Sequence, residues 1–209
     1  MMDKPVEILF DCDDILIDTV PRWLDEINSK YGIRKHITDV TDWDITKPFS
    51  KEILEGKITK EDIYAVVADD NFWRDISRIE HMYPLLDELK SQYGDKIKMS
   101  ILTASHYYTL RSKMTRVLYL YKGIFEWDDV IVTSRKGMVR GDILVDDNFD
   151  NCNEFINNNR FATAIMRERP YSINKYMDTI KPYNSILVFK KFEELDNLIK
   201  TNINYRFRG

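Results

Sequence analysis

Short apolar runs that end in acids or hydroxyls recur along this chain, and amphipathic stretches separate them. Val6 to Phe10 is the first such run. It is brief, bounded by polar residues and stops at Asp11, so it reads as a buried strand. Val20 to Tyr31 follows with Trp23, Leu24 and Ile27 at helical spacing. Thr38 to Asp75 differs in character, mixing polar turns (TDVTDWDITKP) with two short helices expected near Lys51–Leu54 and Glu61–Ala68. A helix is predicted again over Ile79 to Tyr93, with Leu85, Leu86 and Leu89 on one face. Further strands are expected at Lys98–Leu102, Val130–Thr133, Ile143–Val145, Phe161–Ile165 and Ile186–Phe189. Helices are expected at Tyr107–Leu120 and Phe192–Lys200.

Strands alternating with helices predict an α/β fold with a parallel sheet covered on both faces. Ligands then bind beyond the carboxyl ends of the strands. Those ends carry Asp11 and Asp13, then Thr103 and Ser105, then Asp146 and Asp147. Asp13 and Thr103 are 90 positions apart, whereas a bare strand–helix–strand unit needs only about 30 residues. The surplus, roughly Thr38 to Asp75, reads as an inserted cap. The expected division is a core of residues 1–18 and 76–209 and a cap of residues 19–75.

Composition narrows the classes. The chain has 209 residues, 44% of them hydrophobic, which suffices for one domain with a small insertion. Charged residues make up 32% but are mixed in sign, and the net charge is -4. No basic run suggests a nucleic-acid arm, so duplex nucleic acid is not an expected partner. Two isolated cysteines, Cys12 and Cys152, make neither a disulfide framework nor a zinc site. No apolar stretch approaches the roughly 20 residues of a membrane span, and the N-terminus does not read as a signal peptide. A cytoplasmic setting is expected. There is no GxGxxG or GxxxxGK pattern, which argues against dinucleotide and P-loop sites.

The candidate chemistry lies in four clusters. In ILFDCDDI, Asp11 is placed to attack phosphorus as a carboxylate nucleophile. Asp13 is placed to protonate the leaving oxygen and then to activate water. In ILTAS, the Thr103 hydroxyl, with Ala104 and Ser105, could hold a phosphate oxygen, although a threonine there is by itself more often a helix cap. Lys136, in TSRKGMVRGD, could neutralise the phosphoryl group. In ILVDD, two adjacent acids close an apolar strand, an arrangement that is costly unless a cation binds them. Mg²⁺ held by Asp11, the Asp13 carbonyl and Asp146 or Asp147 would satisfy the set. Each cluster alone is a weak signal. Their order along the chain, each beside its own strand, is a strong one.

These motifs, DCDDI, ILTAS, Lys136 and GDILVDD, resemble the four motifs of the haloacid dehalogenase superfamily. The resemblance implies a three-layer, Rossmann-like core with the strand order of that fold and a small, mostly helical cap after the first strand. Dehalogenases of the superfamily lack the second acid and ion-pumping ATPases carry threonine there, so Asp13 points to phosphatases. The resemblance is nearest to the 5'(3')-deoxyribonucleotidases. It covers roughly Glu7 to Lys175, with NFWRDISRIEHMYPLLDELK, TDWDIT and RERPYSIN similar beyond the motifs. It implies a Mg²⁺-dependent phosphatase that acts on a small phosphomonoester through an aspartyl enzyme, with a nucleotide as substrate and a homodimer as one expected assembly. Rival readings are a phosphatase for sugar phosphates or polynucleotide 3' ends, and a non-catalytic binding protein on the same fold.

Asp14 departs from the family, which usually has glycine there. The aromatics Trp43, Phe72 and Trp73 lie in the insertion and are candidates for stacking on a nucleobase, with a small cap core as the plainer role. Arg167 and Arg169 could reach the substrate rim, with solvated surface as the plainer role; Cys12 is expected as a buried filler and His106 as a helix start.

Overall fold

A computed structural model of the chain describes residues 4–179 and 185–207. The outermost residues assigned to the core from sequence, 1–3 and 208–209, and the stretch 180–184 lie outside the described residues. Six strands form one sheet: β1 (Val6–Asp11), β2 (Ile97–Thr103), β3 (Val130–Val132), β4 (Ile143–Asp146), β5 (Thr163–Arg167) and β6 (Ile186–Phe189). Their order is β3-β2-β1-β4-β5-β6 and every pairing is parallel. The chain leaves β1 towards β2 on one side and later returns to β4 on the other. This reversal opens a crevice at the carboxyl end of β1, where such folds bind ligands.

Helices cover both faces, as near-continuous apolar strands require. Ile8, Phe10, Ile101, Ile143 and Val145 pack with α5 (Met82–Tyr93), α6 (Tyr107–Leu120) and α9 (Phe192–Arg206). Leu9, Leu102, Leu144 and Met166 pack on the opposite face against α7 (Phe149–Asn158) and α8 (Pro170–Thr179). Neither α7 nor α8 is among the elements expected from sequence. Phe149, Cys152 and Phe155 do recur at helical spacing in α7, and Asn148 caps it by accepting from the Asp150 and Asn151 N–H groups. Its many asparagines, which favour turns, mask that pattern. The expected start of β5 at Phe161 also shifts. Phe161 is exposed with φ 68°, a turn conformation, and pairing begins at Thr163.

The segment after β1 is helical: α1 (Thr19–Tyr31), α2 (Ser50–Leu54), α3 (Lys60–Ala68) and α4 (Asp70–Arg74). Helix α1 stops at Gly32, whose φ of 63° lets its N–H bond back to the Asn28 carbonyl. Thr59 and Asp62 start α3 with a reciprocal capping box. Leu24, Ile27, Ile33, Val40, Ile45, Phe49, Ile58 and Ile63 form an apolar cluster of their own, joined from the core side by Tyr171.

Candidate active site

Parallel register brings the sequence-predicted groups together. Asp11 lies opposite Leu102, one step before Thr103. Phe10 pairs with Val145, so Asp11 and Asp146 extend side by side from adjacent strands. Asp11, Asp146 and Asp147 are all buried, and one oxygen of each lies within 4.8 Å of the others. Lys136 stands on a short helical turn, Lys136–Met138, before β4. Its ammonium reaches Asp11 at 2.6 Å and Asp146 at 3.3 Å. That turn packs tightly on α7: a Cβ on Gly137 would collide with the side chain of Glu154.

The electrostatics follow from crowding these acids out of water. Burial pushes the Asp11 carboxyl up to about 7, with Asp146 and Asp13 adding to the rise and Lys136 opposing it. Burial, with Asp14, Asp11 and Asp146, also drives Asp147 well above the usual carboxylate range. Burial works against the charge on Lys136, but Asp11, Asp146 and Asp147 outweigh it and keep its ammonium protonated. One oxygen of Asp147, Oδ1, is buried with no hydrogen-bond partner. Three converging carboxylates and an unpartnered oxygen fit a hard divalent cation, which takes oxygen ligands.

The side chain of Asp13 turns away from this cluster. It accepts hydrogen bonds from Thr19 Oγ1 at 2.7 Å and from the ammonium of Lys113. Burial alone would raise its pKa, but the ion pair and hydrogen bond with Lys113, aided by Thr19, bring it below the usual value. Lys113 also donates to Thr103 Oγ1 at 3.1 Å and is itself buried. Thr103 is buried at the end of β2, while Ala104 is exposed and Ser105 half-buried just beyond it.

A sequence model of the family described as 5' nucleotidase, deoxy (pyrimidine), cytosolic type C protein matches residues 4–185. The chain belongs to this family. As a nucleotidase-family member it is an enzyme, a phosphatase. It is 27% identical over 157 residues to the 5'(3')-deoxyribonucleotidase of Clostridium acetobutylicum, which spans 75% of this chain and 81% of that protein. Among solved structures, a haloacid dehalogenase-like hydrolase from Burkholderia xenovorans LB400 superposes with a TM-score of 0.59 at 13% identity, covering 95% of this chain and 98% of that one. An L-2-haloacid dehalogenase from Xanthobacter autotrophicus gives 0.56 at 15% identity, covering 94% and 98%. At these identities the likeness speaks for the fold alone.

Within this nucleotidase, several residues stand differently from their expected places. Phe72 and Trp73 are 4% and 5% exposed and belong to the main core, not to an open cap surface. The indole N–H of Trp73 donates to the Val67 carbonyl at 2.8 Å. With their surfaces covered by the core, they offer no open face to a base. Trp43 is 63% exposed, its ring edge-on to Tyr171 with centroids 5.5 Å apart. Arg167 and Arg169 are largely withdrawn from solvent, with side chains 13% and 11% exposed. Arg167 donates to the Asp14 carbonyl, and Arg169 lies 3.6 Å from the Asp14 carboxylate. Asp14 is fully buried with φ 54°. Cys12 is buried between the two acids, as expected of a filler.

Sequence reading missed Lys113 and Tyr171. No local pattern separates Lys113 from the other lysines. A faint signal was its place ten residues after Thr103, on a helix that starts at the carboxyl end of β2.

Proposed function

We propose that this nucleotidase hydrolyses deoxyribonucleoside monophosphates in a Mg²⁺-dependent reaction that passes through an aspartyl-phosphate on Asp11. The observation that carries the reading is the single buried crevice in which Asp11, Lys136, Asp146 and Asp147 converge, with Asp13 and Thr103 at its edge. Asp11, Asp146 and Asp147, with the Asp13 carbonyl, are the groups that would hold Mg²⁺. When bound, the ion would offset the negative charge of the carboxylates and of the phosphoryl oxygens.

An Asp11 carboxylate oxygen attacks phosphorus and displaces the nucleoside oxygen. Lys136 lies 2.6 Å from that carboxylate and offsets charge on the transferring group. Thr103, Ala104 and Ser105, at the end of β2, take the phosphate oxygens. Asp13 serves both halves of the cycle. Held ionised by Lys113, it is ready to accept a proton from the water that cleaves the aspartyl-phosphate. A dianionic phosphate beside Thr103 would draw on the charge of Lys113 and relax its hold on Asp13. That would let Asp13 carry the proton for the leaving oxygen.

The segment 19–75 serves as the cap. Trp43 lines a cavity of about 270 Å³ between the 41–43 turn and the starts of α7 and α8, together with Tyr171, Asn148 and Lys175. This is where the reading places the nucleobase, since base–aromatic stacking contributes about 1–3 kcal/mol with little choice of base. The two free cysteines are buried, and no helix among the described residues is long and apolar enough to cross a membrane. The cytosolic type named in the family description supports the expected cytoplasmic setting. A homodimer belongs to the same reading and is open to test by light scattering.

The deciding experiment is a phosphate-release panel with Mg²⁺ over deoxyribonucleotides, ribonucleotides, sugar phosphates and a 3'-phosphorylated oligonucleotide. The highest kcat/KM is expected for a deoxyribonucleoside monophosphate. A sugar phosphate or the oligonucleotide ranking first would overturn the substrate class.

A further inference from the structure

Tyr171, the second residue of α8, sits between two carboxylates of the site. Its side chain is buried, and its hydroxyl donates to Asp147 Oδ2. Asp14 Oδ2 stands 3.3 Å from the same hydroxyl. The neighbouring Ser172 hydroxyl donates to the Asp147 backbone carbonyl. The start of α8 thus holds Asp147 at both its carboxylate and its main chain. Of the two carboxylate oxygens, Oδ2 is occupied by the phenol, while Oδ1 is buried and unpartnered. A phenol on one oxygen fixes the rotation of a carboxylate. Here it leaves Oδ1 free of any hydrogen bond, in a residue whose carboxylate lies within 4.8 Å of ligand oxygens of Asp11 and Asp146.

On its other side Tyr171 meets the cap. Its ring joins the apolar cluster of Leu24, Val40 and Phe49, and Trp43 packs edge-on against it. Asp14 keeps a left-handed backbone that glycine would take freely. Its carboxylate accepts from the Val20 N–H at the start of α1 and faces Arg169. One hydroxyl therefore touches the turn that leads into the cap, while its ring packs within the cap and its proton goes to Asp147.

We infer that Tyr171 is a positioning residue: it aims Asp147 Oδ1 at the divalent cation, and Trp43 braces it from the cap. This rests on the metal site of the proposed function. The consequence is that the grip on the cation depends on a tyrosine that the cap packs against. A partner in the outer shell of a metal ligand typically matters by about 10–100-fold in affinity.

Mn²⁺ binding to the full chain, followed by electron paramagnetic resonance without substrate, tests this apart from turnover. Y171F, which keeps the ring and its packing, is expected to bind Mn²⁺ about tenfold more weakly, with its melting temperature in chelator close to the parent's. Y176F, a hydroxyl loss on the same helix, is expected to bind within about twofold of the parent. Mn²⁺ binding by Y171F within twofold of the parent overturns the inference, and so does equal weakening in Y176F. Failure of the parent itself to bind Mn²⁺ overturns the metal site and the inference with it. Should Y171F not fold, W43A, at an exposed position, decides the matter. A two- to threefold weakening supports the brace and an unchanged affinity overturns it.

Discussion

Lys113 of α6 and Asp13 of the turn after β1 form an ion pair across 100 residues of chain, and the same ammonium reaches Thr103. One cation therefore governs both the candidate acid–base group and the candidate phosphate ligand. Lys113→Met keeps length and apolar packing but removes the charge. An acid that loses a neighbouring cation holds its proton more tightly. The acid limb of the pH–rate profile is expected to move up, and kcat at neutral pH to fall by about 10²-fold, a typical worth of acid–base catalysis. An unmoved limb would detach Lys113 from the chemistry.

Asp11→Asn retains the shape of the nucleophile and removes its charge. Turnover is expected to drop by about three orders of magnitude or more while circular dichroism stays unchanged. Near-normal phosphate release from this variant would end the covalent mechanism.

Without a divalent cation, Asp11 and Asp147 hold their protons in the folded chain at pH values where the unfolded chain has lost them. The folded state of Asp11 titrates near 7, against 3.8 for an unperturbed aspartate. A raised carboxyl pKa means that the folded state binds more protons, so stability falls as pH rises from about 4 through 7. The chelated protein is expected to melt at a higher temperature at pH 5.5 than at pH 7.5, by several degrees. For a chain of this size about 1 kcal/mol corresponds to 2–4 °C. Mg²⁺ should reduce that slope, because a bound cation favours the ionised carboxylates. Melting curves that rise with pH in chelator would contradict the sign.

Asp14→Gly releases a left-handed backbone, worth about 1 kcal/mol. It also strips Arg169, whose side chain is only 11% exposed, of its facing carboxylate. Burial holds the Asp14 carboxyl above the usual range despite Arg169 and Arg167, so the loss falls short of the roughly 3–5 kcal/mol that breaking a well-formed buried pair costs. Stranding the arginine is still expected to outweigh the backbone gain, read as a lower melting temperature in the chelated protein. A gain in stability would show that Arg169 does not depend on Asp14.

Trp43 and Trp73 should behave in opposite ways. At saturating Mg²⁺, Trp43→Ala is expected to raise KM for nucleotides about tenfold, as loss of one stacking contact would, and to leave small phosphate esters and the melting temperature little changed. Trp73→Ala opens the core and should cost about 3–5 kcal/mol of stability. Equal KM effects on nucleotides and on a small ester would remove Trp43 from base binding.

What the sequence determined by itself was the set of strands and the acids that end them. An apolar run stopping at Asp11, Thr103 or Asp146 is a local signal, because burial and the turn that ends it depend on neighbouring residues alone. Parallel packing then brings such ends to one edge of the sheet whatever the details, so Asp11, Lys136, Asp146 and Asp147 could be named beforehand. Only the tertiary structure decided which way the remaining side chains face. Lys113 and Tyr171 carry no local mark, since their partners lie 100 and 24 residues away in the chain. Phe72 and Trp73 were candidates for a small cap core or for base stacking, and the fold buries them in the main core instead. Arg167 and Arg169 looked solvated until their strand end met Asp14. In each case the deciding energy is a contact or a desolvation between distant segments, and such terms exist only once the chain has folded.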